Sequence, residues 1–362
     1  MNPNTSAGGL PADMPTLGEL GWSPRLEVQV TPGEAALVPA RVVAVHRSGP
    51  EVLGPAIDGR VFPLRRSVDG EAPDIAVGDW LLVDPQTRVT ERVLDRATLF
   101  RRKAAGDVQR FQVIAANVDT LFIVSSCNAD FNVPRLERYL ALAREAEVNP
   151  VVVLTKADQA DDAAAFVRAA SRLMPGLLVE CLDARDPAEV RCLRPWCGMG
   201  QTVALVGSSG VGKSTLVNTL RGDAGQATQG IREDDARGRH TTTTRSLLRL
   251  PDGGWLLDTP GMRELQLADA GQGIADVFAD IVAVAAGCRF SDCTHDGEPG
   301  CAVVAAIERG EIEPERLARF HKLVREDTRN SEAIWTRRQR ERSFGRLTRS
   351  ASRAREDRRG GE

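Results

Sequence analysis

The sequence predicts a multidomain α/β fold: an OB-like β-barrel first, a parallel sheet of βα units in the middle, and a helical, metal-binding region last. Three observations carry that expectation. Short apolar runs broken by turn residues fill residues 25–103. Apolar strand runs alternate with helical spacing from 112 to 285. Three Cys and one His crowd into the short stretch from Cys288 to Cys301. A chain of 362 residues exceeds one domain of about 150. Its 42% apolar and 27% charged content is that of a globular protein, and seven Cys are too few for a disulfide scaffold. No apolar run reaches the roughly 18 residues that span a membrane. Met1 to Gly21 carries neither Lys nor Arg nor an apolar core, which excludes a signal peptide there. A soluble, cytoplasmic monomer without membrane contacts is expected.

Residues 1–24, rich in Gly, Pro, Ser and Asn, read as a flexible leader. The barrel rests on the runs Leu37 to Val45, Arg60 to Leu64, Trp80 to Val83 and Val89 to Leu94. Ser48-Gly49-Pro50, Asp58-Gly59, Asp69-Gly70 and Val77-Gly78-Asp79 read as the breaks between them. An OB barrel commonly contacts oligonucleotides, whereas an SH3-like or purely structural barrel is the alternative. Arg101-Arg102-Lys103 reads as a basic linker. Strand runs then appear at Thr120 to Ser125, Pro150 to Leu154 and Thr202 to Val206, with helical spacing over Pro134 to Val148 and Ala160 to Leu173. Alternating βα units call for a parallel sheet with helices on both faces.

Gly207-Ser208-Ser209-Gly210-Val211-Gly212-Lys213-Ser214 matches G-x-x-x-x-G-K-[ST] in full and is followed by Thr215 and a helical run. Its glycines let backbone N–H groups turn inward around phosphate oxygens at a helix N-terminus. Lys213 would neutralise the β- and γ-phosphates, and Ser214 would ligate Mg²⁺. Asp258-Thr259-Pro260-Gly261 fits D-x-x-G, where Asp258 holds Mg²⁺ and Gly261 senses the γ-phosphate. Between the two motifs, a glycine-rich stretch ends in His240-Thr241-Thr242-Thr243-Thr244 and reads as switch I, with Thr242 capping Mg²⁺. Thr155-Lys156-Ala157-Asp158 fits the base-reading [NT]-K-x-D. Asp158 can accept from N1–H and the 2-amino group of guanine, while adenine would leave its charge unpaired. The Lys156 stem can lie along the purine face.

The base motif precedes the phosphate loop, the reverse of the ordinary order, so the central domain is a circularly permuted P-loop GTPase. Switch II then leads directly into the C-terminal region, which predicts that this region moves with the nucleotide state. With GSSGVGKST, GRHTTTTR and DTPG in that order, the sequence resembles the ribosome small-subunit-dependent GTPase A family (RsgA, also YjeQ) over about residues 36–335. The resemblance implies GTP hydrolysis to GDP during late maturation of the small ribosomal subunit, stimulated by that subunit, with contacts to its rRNA. Thr155 stands where Asn is commoner, which predicts modestly weaker nucleotide binding. An S-A-K-like second guanine contact, expected around Glu180-Cys181-Leu182-Asp183, is not recognisable there.

A Gln after D-x-x-G orients the attacking water in Ras-like proteins. Met262 fills that position here, so slow intrinsic hydrolysis is expected. His240 is the candidate catalytic group, through an imidazole pKa of about 6.5 and through the resemblance. Cys288, Cys293, His295 and Cys301 form C-x₄-C-x-H-x₅-C, a closed donor set suited to one structural Zn²⁺. The family pattern matches all four. The other cysteines read as ordinary packing or surface thiols.

The expected order is thus a leader over 1–24, an OB domain over 25–103, a permuted GTPase over 112–285, a zinc domain over 286–335 and a tail over 336–362. From Trp335 to Arg359, ten Arg face Glu341, Glu356 and Asp357, a local net of +7. With Glu362 returning one charge, the chain's formal −3 leaves −9 on residues 1–334. Such an arm suits folded RNA. Two other readings stay open: a GTP-gated binding protein that uses hydrolysis only as a release timer, and a GTPase acting on DNA or lipids with the zinc element as adaptor.

Overall fold

The computed structural model describes residues 14–46, 49–62, 74–103, 111–222, 245–258, 267 and 269–331. Among the described residues, five strands build the barrel. β1 (Val38–His46) pairs antiparallel with β2 (Gly49–Gly54), which pairs with β3 (Ile57–Arg60). The first half of β1 pairs with β4 (Trp80–Val83), and β4 pairs with β5 (Thr90–Val93). A parallel bridge between Phe62 and Val89 closes the ring. A register shift between Val42 and Ala44 bends β1 and helps one strand serve neighbours on both sides. Ala40, Val42, Val52, Ile57, Val61, Leu81 and Val83 fill the interior.

Two breaks expected from sequence are strand. Pro50 pairs with Val45 inside β2, where its carbonyl accepts from the Val61 amide at 3.1 Å, so its missing N–H costs little. Asp58 and Gly59 lie inside β3, with Gly59 at φ 91°. The basic linker is also strand. Arg101, Arg102 and Lys103 belong to β6 (Leu99–Lys103), which pairs with β7 (Phe111–Ala116).

The described part of the expected leader is packed against the body. Leu20 is fully buried, Trp22 meets Trp80 edge-on with ring centroids 4.9 Å apart, and Glu19 pairs with Arg249 at 2.7 Å. A short helix, α1 (Pro24–Glu27), follows. The apolar residues Leu17, Leu20 and Trp22 carry this segment, and the surrounding Gly and Pro obscure them.

The central sheet follows the expected alternation. Its parallel strands are β8 (Thr120–Ser126), β9 (Asn149–Thr155), β10 (Leu178–Cys181), β11 (Thr202–Val206) and β13 (Trp255–Asp258), with β12 (Arg245–Arg249) antiparallel on β13. The spatial order β10-β9-β8-β11-β13-β12 places β11 centrally although it is fourth in the chain. β12 continues onto the barrel through Ala44↔Ser246 and Val45↔Arg245, so barrel and sheet share one ladder. α2 (Val133–Glu145) is capped by the Asn132 side chain, which accepts from the Arg135 amide at 2.9 Å. α3 (Ala163–Ser171) is capped the same way by Asp162, and α4 (Pro187–Val190) by Asp186. α5 (Lys213–Leu220) follows the phosphate loop.

The C-terminal region is helical: α6 (Gly271–Val277), α7 (Ala279–Ala285), α8 (Ala302–Glu308) and a helix, α9, over 314–331. It lies against α2 of the central sheet's helical layer. Gly273 rests on α2 so closely that a Cβ would stand 2.1 Å from the Ala141 carbonyl oxygen. Arg316 donates to Glu137 on α2 at 2.8 Å, to the Val277 carbonyl at 2.8 Å and to the Asp280 carboxylate at 3.0 Å. Arg319 also donates to Glu137, at 2.9 Å. Among the described residues, no helix is long and apolar enough to cross a membrane.

Candidate functional site

Parallel strands deliver their loops to one edge, where an α/β sheet binds ligands at the carboxyl ends of its strands. The register Ser126↔Thr155 and Val206↔Ile123 brings the ends of β8, β9 and β11 to that edge. The phosphate loop begins at Gly207, directly after β11, and the base motif begins at Thr155, the last residue of β9. Asp258 ends β13 on the same edge. Motifs about 50 residues apart in sequence, in inverted order, thus meet.

Thr155 makes the join. Its fully buried hydroxyl donates to the Val211 carbonyl in the phosphate loop at 2.6 Å, with the Ser125 carbonyl also within 3.1 Å. Gly207 has φ 148°, and a Cβ there would stand 2.3 Å from the Val124 carbonyl oxygen, so only glycine fits. The Lys213 ammonium donates to the Gly207 carbonyl at 2.8 Å and to the Ser208 carbonyl, which folds its stem back over the loop. Gly212, at φ 91°, caps α5 and turns Lys213, Ser214 and Thr215 into its first turn. Lys156 adopts the left-handed conformation at φ 59°, which starts the turn that carries Asp158. The set suits a nucleoside triphosphate, with donors for phosphate at one end and an anionic acceptor for a base at the other.

His240, Thr242 and Gly261 lie outside the described residues, as do Met262 and the Arg-rich tail. Two features at this edge escape sequence reasoning. One is the reach of the Thr155 hydroxyl into the loop. The other is Arg185, whose guanidinium lies 2.7 Å from Asp158. Asp183-Ala184-Arg185 overlaps the end of the Glu180-Cys181-Leu182-Asp183 stretch where a second guanine contact is expected, with charged residues in place of a small hydroxyl.

The metal-ligating set assembles as its spacing predicts. The donor atoms of Cys288, Cys293, His295 and Cys301 all lie within 4.8 Å of one another. His295 Nδ1 is 3.6 Å from Cys288 Sγ and 3.5 Å from Cys301 Sγ, and those two sulfurs are 4.0 Å apart. Tetrahedral zinc at about 2.3 Å from sulfur and about 2.0 Å from nitrogen puts its donors roughly 3.5–3.8 Å apart. The residues fit the ion. His295 turns at φ 63°, and Glu298 fastens that turn by accepting from the Thr294 hydroxyl at 2.5 Å, the Thr294 amide at 2.7 Å and the Asp296 amide at 2.8 Å. These bonds, the Thr294 hydroxyl first, hold the Glu298 carboxyl down at about 2. Cys301 also caps α8, its sulfur accepting from the Val304 amide at 3.4 Å. Elsewhere, Cys127 and Cys181 lie 3.7 Å apart, but burial pushes the Cys127 thiol up to about 12 and raises Cys181 too. They are packing thiols.

Comparison with known proteins gives a consistent result. A family model described as RsgA GTPase matches residues 93–268. A small ribosomal subunit biogenesis GTPase RsgA of Mesorhizobium japonicum is 51% identical over 323 residues, covering 88% of this chain and 92% of its own. The RsgA 2 of Vibrio vulnificus is 48% identical over 335 residues, covering 92% and 94%. Among solved structures, YjeQ from Thermotoga maritima superposes with a TM-score of 0.59 at 26% identity, over 79% of this chain and 97% of its own. The circularly permuted GTPase YloQ does so at 0.57 and 20% identity, over 81% and 96%, a likeness of fold.

Proposed function

The chain belongs to the RsgA GTPase family, and on that premise we propose that it binds GTP at the carboxyl edge of its sheet. There it hydrolyses GTP to GDP and phosphate during late maturation of the small ribosomal subunit, stimulated by that subunit. One observation carries the site assignment: the Thr155 hydroxyl bonded to the Val211 carbonyl, which couples the base motif to the phosphate loop. Residues 207–215 cradle the phosphates with backbone amides, and Lys213 exchanges its loop carbonyls for phosphate oxygens. Asp158 accepts two hydrogen bonds from guanine, one from N1–H and one from the 2-amino group, and Lys156 covers the base. Ser214, Thr242 and Asp258 hold Mg²⁺, which when bound supplies neutralisation of the β- and γ-phosphate charge.

With Met262 unable to orient water, His240 on switch I positions or deprotonates it. The zinc knuckle is structural, because four protein donors leave no open position. The small-subunit rRNA meets the barrel and the Arg-rich tail, whose guanidinium planes suit phosphates and unpaired bases. The protein works as a soluble, cytoplasmic monomer.

The test is GTP turnover with and without isolated small subunits, alongside co-sedimentation with a non-hydrolysable GTP analogue or GDP. Turnover is expected to rise many-fold on addition of subunits, and binding to favour the analogue. His240→Ala is expected to abolish stimulated turnover while retaining GTP binding, and wild-type turnover in that variant would sink the assignment. Absence of any ribosome effect would overturn the subunit reading itself.

A further inference from the structure

Asp158 is not alone at the base end of the site. Arg185 Nη2 donates to Asp158 Oδ2 at 2.7 Å, and the same guanidinium grips Asp183, through Nε to Oδ1 at 3.0 Å and Nη2 to Oδ2 at 2.9 Å. One cation therefore bridges two carboxylates. The Asp183 end is itself fixed. Its carboxylate accepts from the Arg185 amide at 2.9 Å, and its own amide donates to Glu189 Oε2 at 2.7 Å. The preceding residue, Leu182, donates to the Leu154 carbonyl at 2.9 Å, which ties this loop to the strand that carries the base motif. The Arg185 hydrogen bond holds the Asp183 carboxyl below the usual range, so it is a full anion. Asp158 is one-third exposed and Arg185 largely exposed, so the bridge is open to solvent.

We propose that Arg185 is a positioning residue for guanine readout, acting through Asp158; this rests on the assignment of Asp158 as the base acceptor. Reading guanine requires both Asp158 oxygens to face N1–H and the 2-amino group together. Each carboxylate oxygen offers two lone pairs, so Oδ2 can keep Arg185 on one side and accept a hydrogen bond from the base on the other. Arg185 thereby fixes the rotation of the carboxylate before the base arrives. It also offsets the nearby Asp183 charge, which would otherwise turn Asp158 away. Without the bridge, Asp158 spends binding free energy on its own alignment. A charged neighbour inside the loop after β10 thus sets how sharply guanine is distinguished and how long the nucleotide stays.

The experiment measures dissociation of a fluorescent GDP analogue from the full-length protein, and competition by GTP and ITP, whose base lacks the 2-amino group. Arg185→Ala is expected to speed dissociation about tenfold, the scale of one charge-assisted hydrogen bond. It should also narrow the preference for GTP over ITP, because misalignment costs guanine two bonds and hypoxanthine one. Arg185→Lys should recover part of both losses. Asp183→Ser combined with Arg185→Ala should also recover part of them, since the repelling charge is then gone. Unchanged dissociation in Arg185→Ala would overturn the proposal. Equal weakening of GTP and ITP would overturn it too, because that marks a merely structural role. Asp158→Asn separates the two assignments. If it switches preference to xanthosine nucleotides while Arg185→Ala stays wild-type, only the Arg185 proposal fails. If it leaves base preference untouched, the base assignment fails with it.

Discussion

At the scale of single residues, the site depends on side chains that reach across sequence. Thr155 is the clearest. Its hydroxyl is shorter than the amide common at this position, yet it spans from the end of β9 to the Val211 carbonyl at 2.6 Å. A buried carbonyl that loses its donor keeps the desolvation cost, about 1–3 kcal/mol. Thr155→Val removes the hydroxyl at nearly constant volume and is expected to cost that much stability. Urea unfolding should show the loss, and GDP dissociation should quicken in parallel as the loop loosens. A variant that destabilises the fold but leaves dissociation untouched would mean that the bond braces the core rather than the site. Arg41 is a second such residue. Fully buried, it donates to the Leu20 carbonyl at 2.6 Å and the Thr202 hydroxyl at 2.7 Å. Burial lowers its guanidinium to about 10, against the pull of Asp119, so it stays charged at neutral pH.

At the scale of elements, what was legible in the sequence was local. The Cys and His donors from Cys288 to Cys301 lie close in sequence, and their spacing alone foretells that they come together. The strands at Trp80–Val83 and Thr202–Val206 stand as read, because continuous apolar runs mark strands buried on both faces. Sequence and structure differ where local chemistry and tertiary context disagree. Pro50 and Gly59 look like breaks, yet the barrel supplies neighbours that tolerate them. Arg101-Arg102-Lys103 looks like a linker because its polar side chains hide a strand whose partner, β7, carries the apolar pattern. Arg185 was invisible because its meaning lies in Asp158, 27 residues earlier.

The Cys/His knuckle joins legibility to stability, since one of its four donors, Cys301, also sets the N-terminus of α8. Chelation of zinc is expected to melt the 288–308 segment in preference to the central sheet. Hydrogen exchange should show lost protection over α8 with β8, β9 and β11 retained; uniform loss would mean that the zinc supports the whole chain.

At the scale of the molecule, the C-terminal region is not merely appended to the sheet. Glu137 is fully buried on α2 and receives Arg316 and Arg319 from α9, while the Arg316 guanidinium sits 4.3 Å over the Phe278 ring. The expectation that this region moves with the nucleotide therefore meets a fixed anchor on the GTPase body. Any such motion must include α2 or break a buried ion cluster. Glu137→Ala would leave two guanidinium groups short of a buried partner, at a cost of about 3–5 kcal/mol. Increased exchange along α9, with a fall in the thermal midpoint, is expected; unaltered exchange would show that apolar packing alone holds the domains together.

The amino-terminal segment that packs against barrel and sheet has a further consequence, in the order of synthesis. Glu19 finds Arg249 and Trp255 at separations of 230 and 236 residues, and Arg41 finds Thr202 at a separation of 161. At about 5–20 residues per second, the first of these contacts must wait roughly 10–50 s after Glu19 is made. Until then Leu20 has no closed core to enter, and a chaperone or the ribosome surface has time to meet it. The segment around Glu19 is thus among the last to settle, because its partners on the central sheet are made 230 and 236 residues after it.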